Sequence, residues 1–292
     1  MCRTRSSVMS DPVPVVDAWM QHPNAAFIRA PMFESLRRWA GADLESLDLS
    51  PDLTLQAMDA AGVGVGMLCA WWGPHGPLIS NDEVALLVKR WPERFVGVAS
   101  VDLAHPMEAV RELRRCVEVL GFRALRLVPW LWNLPPDDRH YYPLYAACVE
   151  LGIPFCTQVG HTGPMCPSEP GRPIPYLDNV ALDFPELVIV AGHIGYPWTT
   201  EMITLARKYP NIHIDTSAYK ASRYPAELVE YMRSNGRRKV LFGSNHPAWP
   251  ATECLADFAA LGLDDETSHL FLHRNAERVF DLQAHPRLTG SM

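Results

Sequence analysis

Short apolar or β-branched runs alternate along this chain with longer segments in which apolar residues return every three or four positions. The runs at 13–18, 63–69, 95–102, 124–129, 154–160, 187–193, 212–217 and 240–245 predict eight strands. Each is apolar on both faces, as a parallel strand enclosed by helices and core must be. Segments 53–61, 82–91, 107–120, 142–151, 179–184, 199–208, 226–235 and 252–260 predict the helices between them. Pro106 stands where a first-turn proline is tolerated, and Gly121, Gly152 and Gly236 follow the last periodic residue, where a left-handed cap suits glycine. Eight strand–helix repeats predict an α/β protein built as one (β/α)8 barrel, a fold of typically ~250 residues. A doubly wound open sheet would announce a glycine-rich turn after its first strand, and none is there. A last helical stretch, 266–280, is expected outside the barrel. The first crossover carries an insertion, 20–50, with Pro23, Pro31 and a helical stretch at 33–40. A long insertion at a barrel rim is usually functional, so it is expected to act as a lid. The expected organisation is a disordered extension at 1–12, one barrel domain at 13–282 and a frayed tail at 283–292.

Composition narrows the partners. Lys plus Arg is 26 against 33 Asp plus Glu, a formal charge of −7, which leaves no basic surface for nucleic acid. At 48% hydrophobic and 20% charged, the chain belongs with globular proteins and not with disordered ones. No apolar run reaches the roughly 18–20 residues that would span a membrane. The basic start, residues 1–7, lacks the apolar stretch of a signal peptide. A soluble, cytoplasmic protein acting on a small molecule is the expectation. Seven dispersed cysteines without a Cys-x-x-Cys pair predict reduced thiols, with neither a disulfide framework nor a thiolate zinc site.

In such a barrel, function lies where strands end. Seven of nine tryptophans follow a predicted strand end, namely Trp19, Trp71, Trp72, Trp130, Trp132, Trp198 and Trp249, which predicts an aromatic-lined cavity. His161 and His193 end the fifth and sixth predicted strands, each beside glycine, and neighbouring strands place them on one rim. Histidine is suited to proton transfer near neutral pH. Arg126 lies within the apolar fourth strand, and burying it unpaired would cost several kcal/mol. Its partner must be a carboxylate, either the protein's own, with Asp102 and Asp215 at hand, or a substrate's.

The ordered series Gly192-His193-Ile194-Gly195, Asn211-Ile212-His213-Ile214-Asp215-Thr216-Ser217, Lys239-Val240-Leu241-Phe242-Gly243-Ser244-Asn245-His246-Pro247 and Asn275-Ala276-Glu277-Arg278-Val279-Phe280 resembles the amidohydrolase-related proteins. Within them it is most similar to the aminocarboxymuconate-semialdehyde decarboxylase branch, over most of the chain from Val13 to Phe280. The resemblance implies a (β/α)8 barrel, a single divalent metal, and decarboxylation, hydration or hydrolysis of small planar acids. It also implies a homodimer. By that resemblance His161 matches the fifth-strand metal ligand and His193 the acid/base. The other ligands depart. Trp19 and Gln21 replace a His-x-His pair, and Asn245 replaces an aspartate. Trp cannot ligate, and neutral amide oxygens are poor zinc donors. His22 and His246 sit one residue past the lost positions, on the other face of an extended chain.

The expectation is therefore no cofactor: a degenerate metal site, with zinc the ion to test for, and a metal-independent lyase of decarboxylase type. His193 would exchange the proton and His161 would hold a substrate oxygen. Asn245 and Gln21 would donate hydrogen bonds to a developing enolate. Trp19, Trp71 and Trp72 would stack on the ring, Arg126 would anchor a carboxylate, and His246 would line the site. A metal-independent hydrolase such as a lactonase, or a barrel that binds without turnover, are the alternatives.

Overall fold

The structure, a computed structural model, describes residues 14–40 and 48–288. Its strands in chain order are β1 (Val15–Met20), β2 (Val63–Cys69), β3 (Trp71–Gly73), β4 (Gly76–Ile79), β5 (Phe95–Ala99), β6 (Ala124–Leu127), β7 (Phe155–Gln158), β8 (Ile189–Gly192), β9 (Ile212–Asp215) and β10 (Val240–Leu241). Eight of them form one parallel sheet in the order β1-β2-β5-β6-β7-β8-β9-β10. The circle closes where Ala18 N–H donates to the Phe242 carbonyl, Asn245 N–H to Trp19 and Gln21 N–H to His246. The (β/α)8 barrel is thus present, with its helices between the strands. Among the described residues no helix is long and apolar enough to cross a membrane, and the described cysteines are free.

Period-2 alternation sorts the strand side chains. Leu125 and Leu127 of β6 join the layer beneath the helices, whereas Ala124 packs in the interior with Val16, Val65, Met67, Val98, Cys156, Val190 and Leu241. By the same alternation Arg126 turns inward. On β1 the register shifts between Asp17 and Met20, so Trp19 follows Ala18 into the interior instead of pointing away from it.

Several elements differ from the periodicity. Run 240–245 pairs over only two residues, because Phe242 N–H bonds the Phe271 carbonyl and Ser244 N–H bonds Asp17, leaving no ladder to continue. Hairpin β3–β4, absent from the sequence reading, occupies the second strand-to-helix loop. The predicted helix 252–260 breaks at Asp257, where φ is 61°. The C-terminal helical stretch, from Asp265 through Val279, does not stand apart. Ala276, Val279 and Phe280 join the interior cluster, and Asn275 Nδ2 donates to the Val240 carbonyl. Of the expected frayed tail, Leu288 is buried in the same cluster, while 289–292 and the extension to residue 13 lie outside the described residues. Leu288→Ala should therefore lower unfolding free energy by about 2 kcal/mol in urea titrations; an unchanged midpoint would mean that the tail carries no core packing.

The insertion after β1 folds into helix Ala25–Arg29, the 3-10 turn Pro31–Phe33 and helix Glu34–Ala40. Asn24 caps the first by accepting from Phe27 N–H. Phe27 and Phe33 are buried with their rings 5.1 and 6.0 Å from that of Trp71. Ser35 Oγ donates to the Gly163 carbonyl, so the insertion reaches the loop after β7 across the C-terminal mouth.

Candidate active site

β8 ends without slack. Gly192 gives way to His193 at φ 70° and Ile194 at φ 53°, and a β-branched residue there is a genuine outlier. Asn245, after β10, has φ 69°. Such strain persists where surrounding contacts over-determine it, and here it falls on two residues already singled out by sequence. The His193 ring is buried, 5.2 Å edge-on from the Trp19 ring. Trp19 can reach it because Gly192 has no side chain: a Cβ there would stand 2.8 Å from the indole.

His193 Nδ1 lies 2.7 Å from Ser217 Oγ, which leaves Nε2 without a hydrogen-bond partner among the described residues. Ser217 donates its backbone N–H to Asp215 Oδ1 at 2.6 Å, and its hydroxyl lies close enough to pull the Asp215 carboxyl's pKa down. Burial, and secondarily the charge of Arg126, pushes the His193 imidazole down to about 3, so at neutral pH it is uncharged. Burial holds the Asp215 carboxyl up at about 7, against the opposing pull of the Ser217 bonds. Its Oδ2 has no partner. Sequence reading named Asp215 only as an ion-pair candidate and missed Ser217. Their period-2 spacing, continuing β9 on its inner face, was the available signal.

Arg126 is 1% exposed and makes no ion pair among the described residues, so neither Asp102 nor Asp215 is its partner. Its guanidinium lies 4.5 Å from the Trp19 ring and 5.0 Å from that of Trp71. Nη2 donates to Gln21 Oε1 at 3.3 Å, and Nη1 has no partner. Gln21 Oε1 also accepts from Trp71 Nε1, while Gln21 Nε2 donates to Asn245 Oδ1 and to the His246 carbonyl. Trp71 packs against Trp130, whose Nε1 donates to Gln158 Oε1 at 2.7 Å. Trp72 is half-buried with its Nε1 unpartnered.

Two sequence candidates sit elsewhere than expected. The His161 side chain is exposed and without a partner among the described residues, although its backbone N–H donates to the Tyr196 carbonyl and ties the β7 and β8 loops together. His246 faces Thr54, whose hydroxyl it shares with His22 at 3.3 and 2.9 Å. Burial depresses both of these imidazoles. Trp19 is a fully buried wall, not an open stacking plate. At the lost ligand positions the donors do not fit a divalent ion: an indole fills the interior, and two amides are committed to each other. Among the described residues no three His, Cys, Asp or Glu side chains converge on a point that could hold one. Asp17 instead latches the barrel seam, accepting from Ser244 Oγ and from the N–H groups of Ser244 and Trp19.

Comparison with known proteins places these features in context. The amidohydrolase family pattern matches residues 16–282. A 2-amino-3-carboxymuconate-6-semialdehyde decarboxylase from Dictyostelium discoideum is 26% identical over 121 residues, 38% of this chain and 34% of that protein. A 2-keto-4-carboxy-3-hexenedioate hydratase from Sphingobium sp. is 27% identical over 73% of this chain and 72% of its own length. Among solved structures, an uncharacterized TIM-barrel protein from Bordetella bronchiseptica superposes with a TM-score of 0.81 at 27% identity, covering 93% of this chain and 99% of that one.

Proposed function

The chain belongs to the amidohydrolase family, and from that premise we propose that it is a lyase of decarboxylase type acting on a small planar carboxylated or enolisable compound without a resident metal. The observation that carries this reading is the His193 Nδ1–Ser217 Oγ hydrogen bond, with Ser217 held on Asp215 through its backbone N–H, which leaves Nε2 free beside the Trp19 ring. An imidazole held near 3 is a poor reservoir of protons at neutral pH, but it is a good conduit for them. Nε2–H protonates the substrate carbon that bears the carboxylate. Nδ1 takes a proton from Ser217 Oγ, and Ser217 takes one from Asp215, so the imidazole stays neutral throughout. The C–C bond then breaks, its electrons return to the substrate's conjugated system, and CO2 leaves. The side-chain amide of Asn245, whose Nδ2 is uncommitted, donates to the oxygen on which negative charge develops. His161 at the rim meets the substrate on its way in.

The hydratase relative supports a second reading, addition of water to a conjugated double bond, with the same Nε2–H delivering the proton. The test is a panel of planar and conjugated acids incubated with chelator-treated protein. Dissolved CO2, loss of conjugated absorbance and acid release from lactones are followed in parallel. CO2 release that survives chelation is the expected result. Absorbance loss without CO2 would establish hydration instead. Acid release from lactones, or turnover only with added zinc or manganese, would overturn the proposal.

A further inference from the structure

We infer that Arg126 is the resident cation of this site, taking the place of a divalent metal, and that its unpartnered Nη1 receives the carboxylate of a planar aromatic or conjugated acid. The inference rests on the reading above that the substrate is such an acid, and it concerns how that acid is held. No carboxylate among the described residues pairs with this guanidinium; the buried Asp215 carboxyl attracts it only from beyond ion-pair distance. Arg126 is 1% exposed on the inner face of β6, has no ion pair among the described residues, and leaves Nη1 buried and unbonded. A buried charge in that condition is costly until an anion completes it. Its Cζ lies over two indole rings, Trp19 and Trp71, at 4.5 and 5.0 Å. Contacts of that kind stabilise a cation while leaving its N–H edge free to bind.

The wiring of the neighbours points the same way. Gln21 and Asn245 occupy two positions where the resembled proteins hold metal. Here the Gln21 amide is oriented by giving both Asn245 Oδ1 and the His246 carbonyl its Nε2, which turns Oε1 onto Arg126 Nη2 and Trp71 Nε1. The former ligand positions thus hold a guanidinium in place. The charge that a metal would bring is already covalently present, and the volume is filled by the Trp19 ring against Gly192.

The experiment uses the full chain, purified without a metal column and treated with chelator, with metal content measured by elemental mass spectrometry. Tryptophan fluorescence follows titration with 2,6-dihydroxybenzoate and with resorcinol, the same ring lacking the carboxylate. With under about a tenth of a metal ion per chain, the acid should bind about 30-fold more tightly than resorcinol, as one charge-assisted pair implies. Arg126→Met removes an unpaired buried charge at similar volume, should melt no lower than wild type, and should reduce the preference to under about 3-fold. Arg126→Lys keeps a point charge without the planar fork and should fall between; it decides the matter if the Met variant does not fold. Equal binding of both ligands by wild type, a preference retained in both variants, or a preference that appears only with added zinc or manganese would overturn the assignment. These readouts need no turnover. Carboxylate-selective binding, with no CO2 released from any acid of the panel above, would therefore sink the decarboxylase reading and leave Arg126's role standing.

Discussion

His193→Asn should lower kcat by about 10³-fold, in the middle of the range for losing a positioned proton donor, while the melting temperature falls by only a few degrees. Asparagine is the informative replacement because the backbone at this position has φ 70°, which Asn tolerates far better than alanine does. Such a loss corresponds to about 4 kcal/mol of transition-state stabilisation. The cost to the fold is smaller. It is one edge-on contact with Trp19 and one hydrogen bond to Ser217, each worth about 1 kcal/mol. Turnover and thermal melts on the same preparation check both halves. A variant within threefold of wild type would remove His193 from the mechanism, and a collapsed melting curve would make the residue structural.

Asp215→Asn should erase a pH dependence as well as slow the reaction. With the carboxyl held at about 7 by burial, Asp215 is protonated below neutrality and can feed Ser217 and His193; above it, the proton is gone. Wild-type kcat should therefore decline as pH rises through about 7, and no second limb should appear near 6.5, because His193 does not titrate there. The variant should be slower by about 10²-fold and flat over that window. Ser217→Ala, which cuts the link while leaving the carboxyl, should lose a similar factor. Stability carries the same signature with a definite sign. A folded-state pKa raised from 3.8 contributes stability that is complete below that unfolded value and is lost as pH rises through about 7. Asp17, raised to about 6, acts in the same direction. The melting temperature of Asp215→Asn should thus decline less between pH 6 and 8 than that of wild type. Parallel melting curves across that interval would show that the carboxyl does not titrate where burial places it.

The site was legible in uneven measure. His193 could be read from a glycine-flanked strand end, and Arg126 from a charge in an apolar run whose alternation turns it inward. His161 reads equally well by that logic, yet its imidazole is exposed, because Gly160 at φ 91° turns the chain out of β7 against the backbone of Tyr196. Trp19 is expected from the sequence to stack on a substrate ring. The register shift on β1 and the bare Cα of Gly192 instead seat it in the interior.

What the sequence determined by itself is what neighbouring residues impose on one another: the alternation of strand and helix, the inward face of each strand, the capping of Gly152 and the absence of a carboxylate at the old metal positions. These follow from periodicity and side-chain chemistry over a dozen residues or fewer. Tertiary structure alone decided the partnerships. Gln21 meets Arg126 across 105 positions, Asp17 meets Ser244 across 227, and Leu288 seals an interior that begins at Val16. Closing a barrel brings the first strand against the last. The side chains that share its centre are therefore selected by the circle of eight strands, a geometry that exists only once the chain has folded.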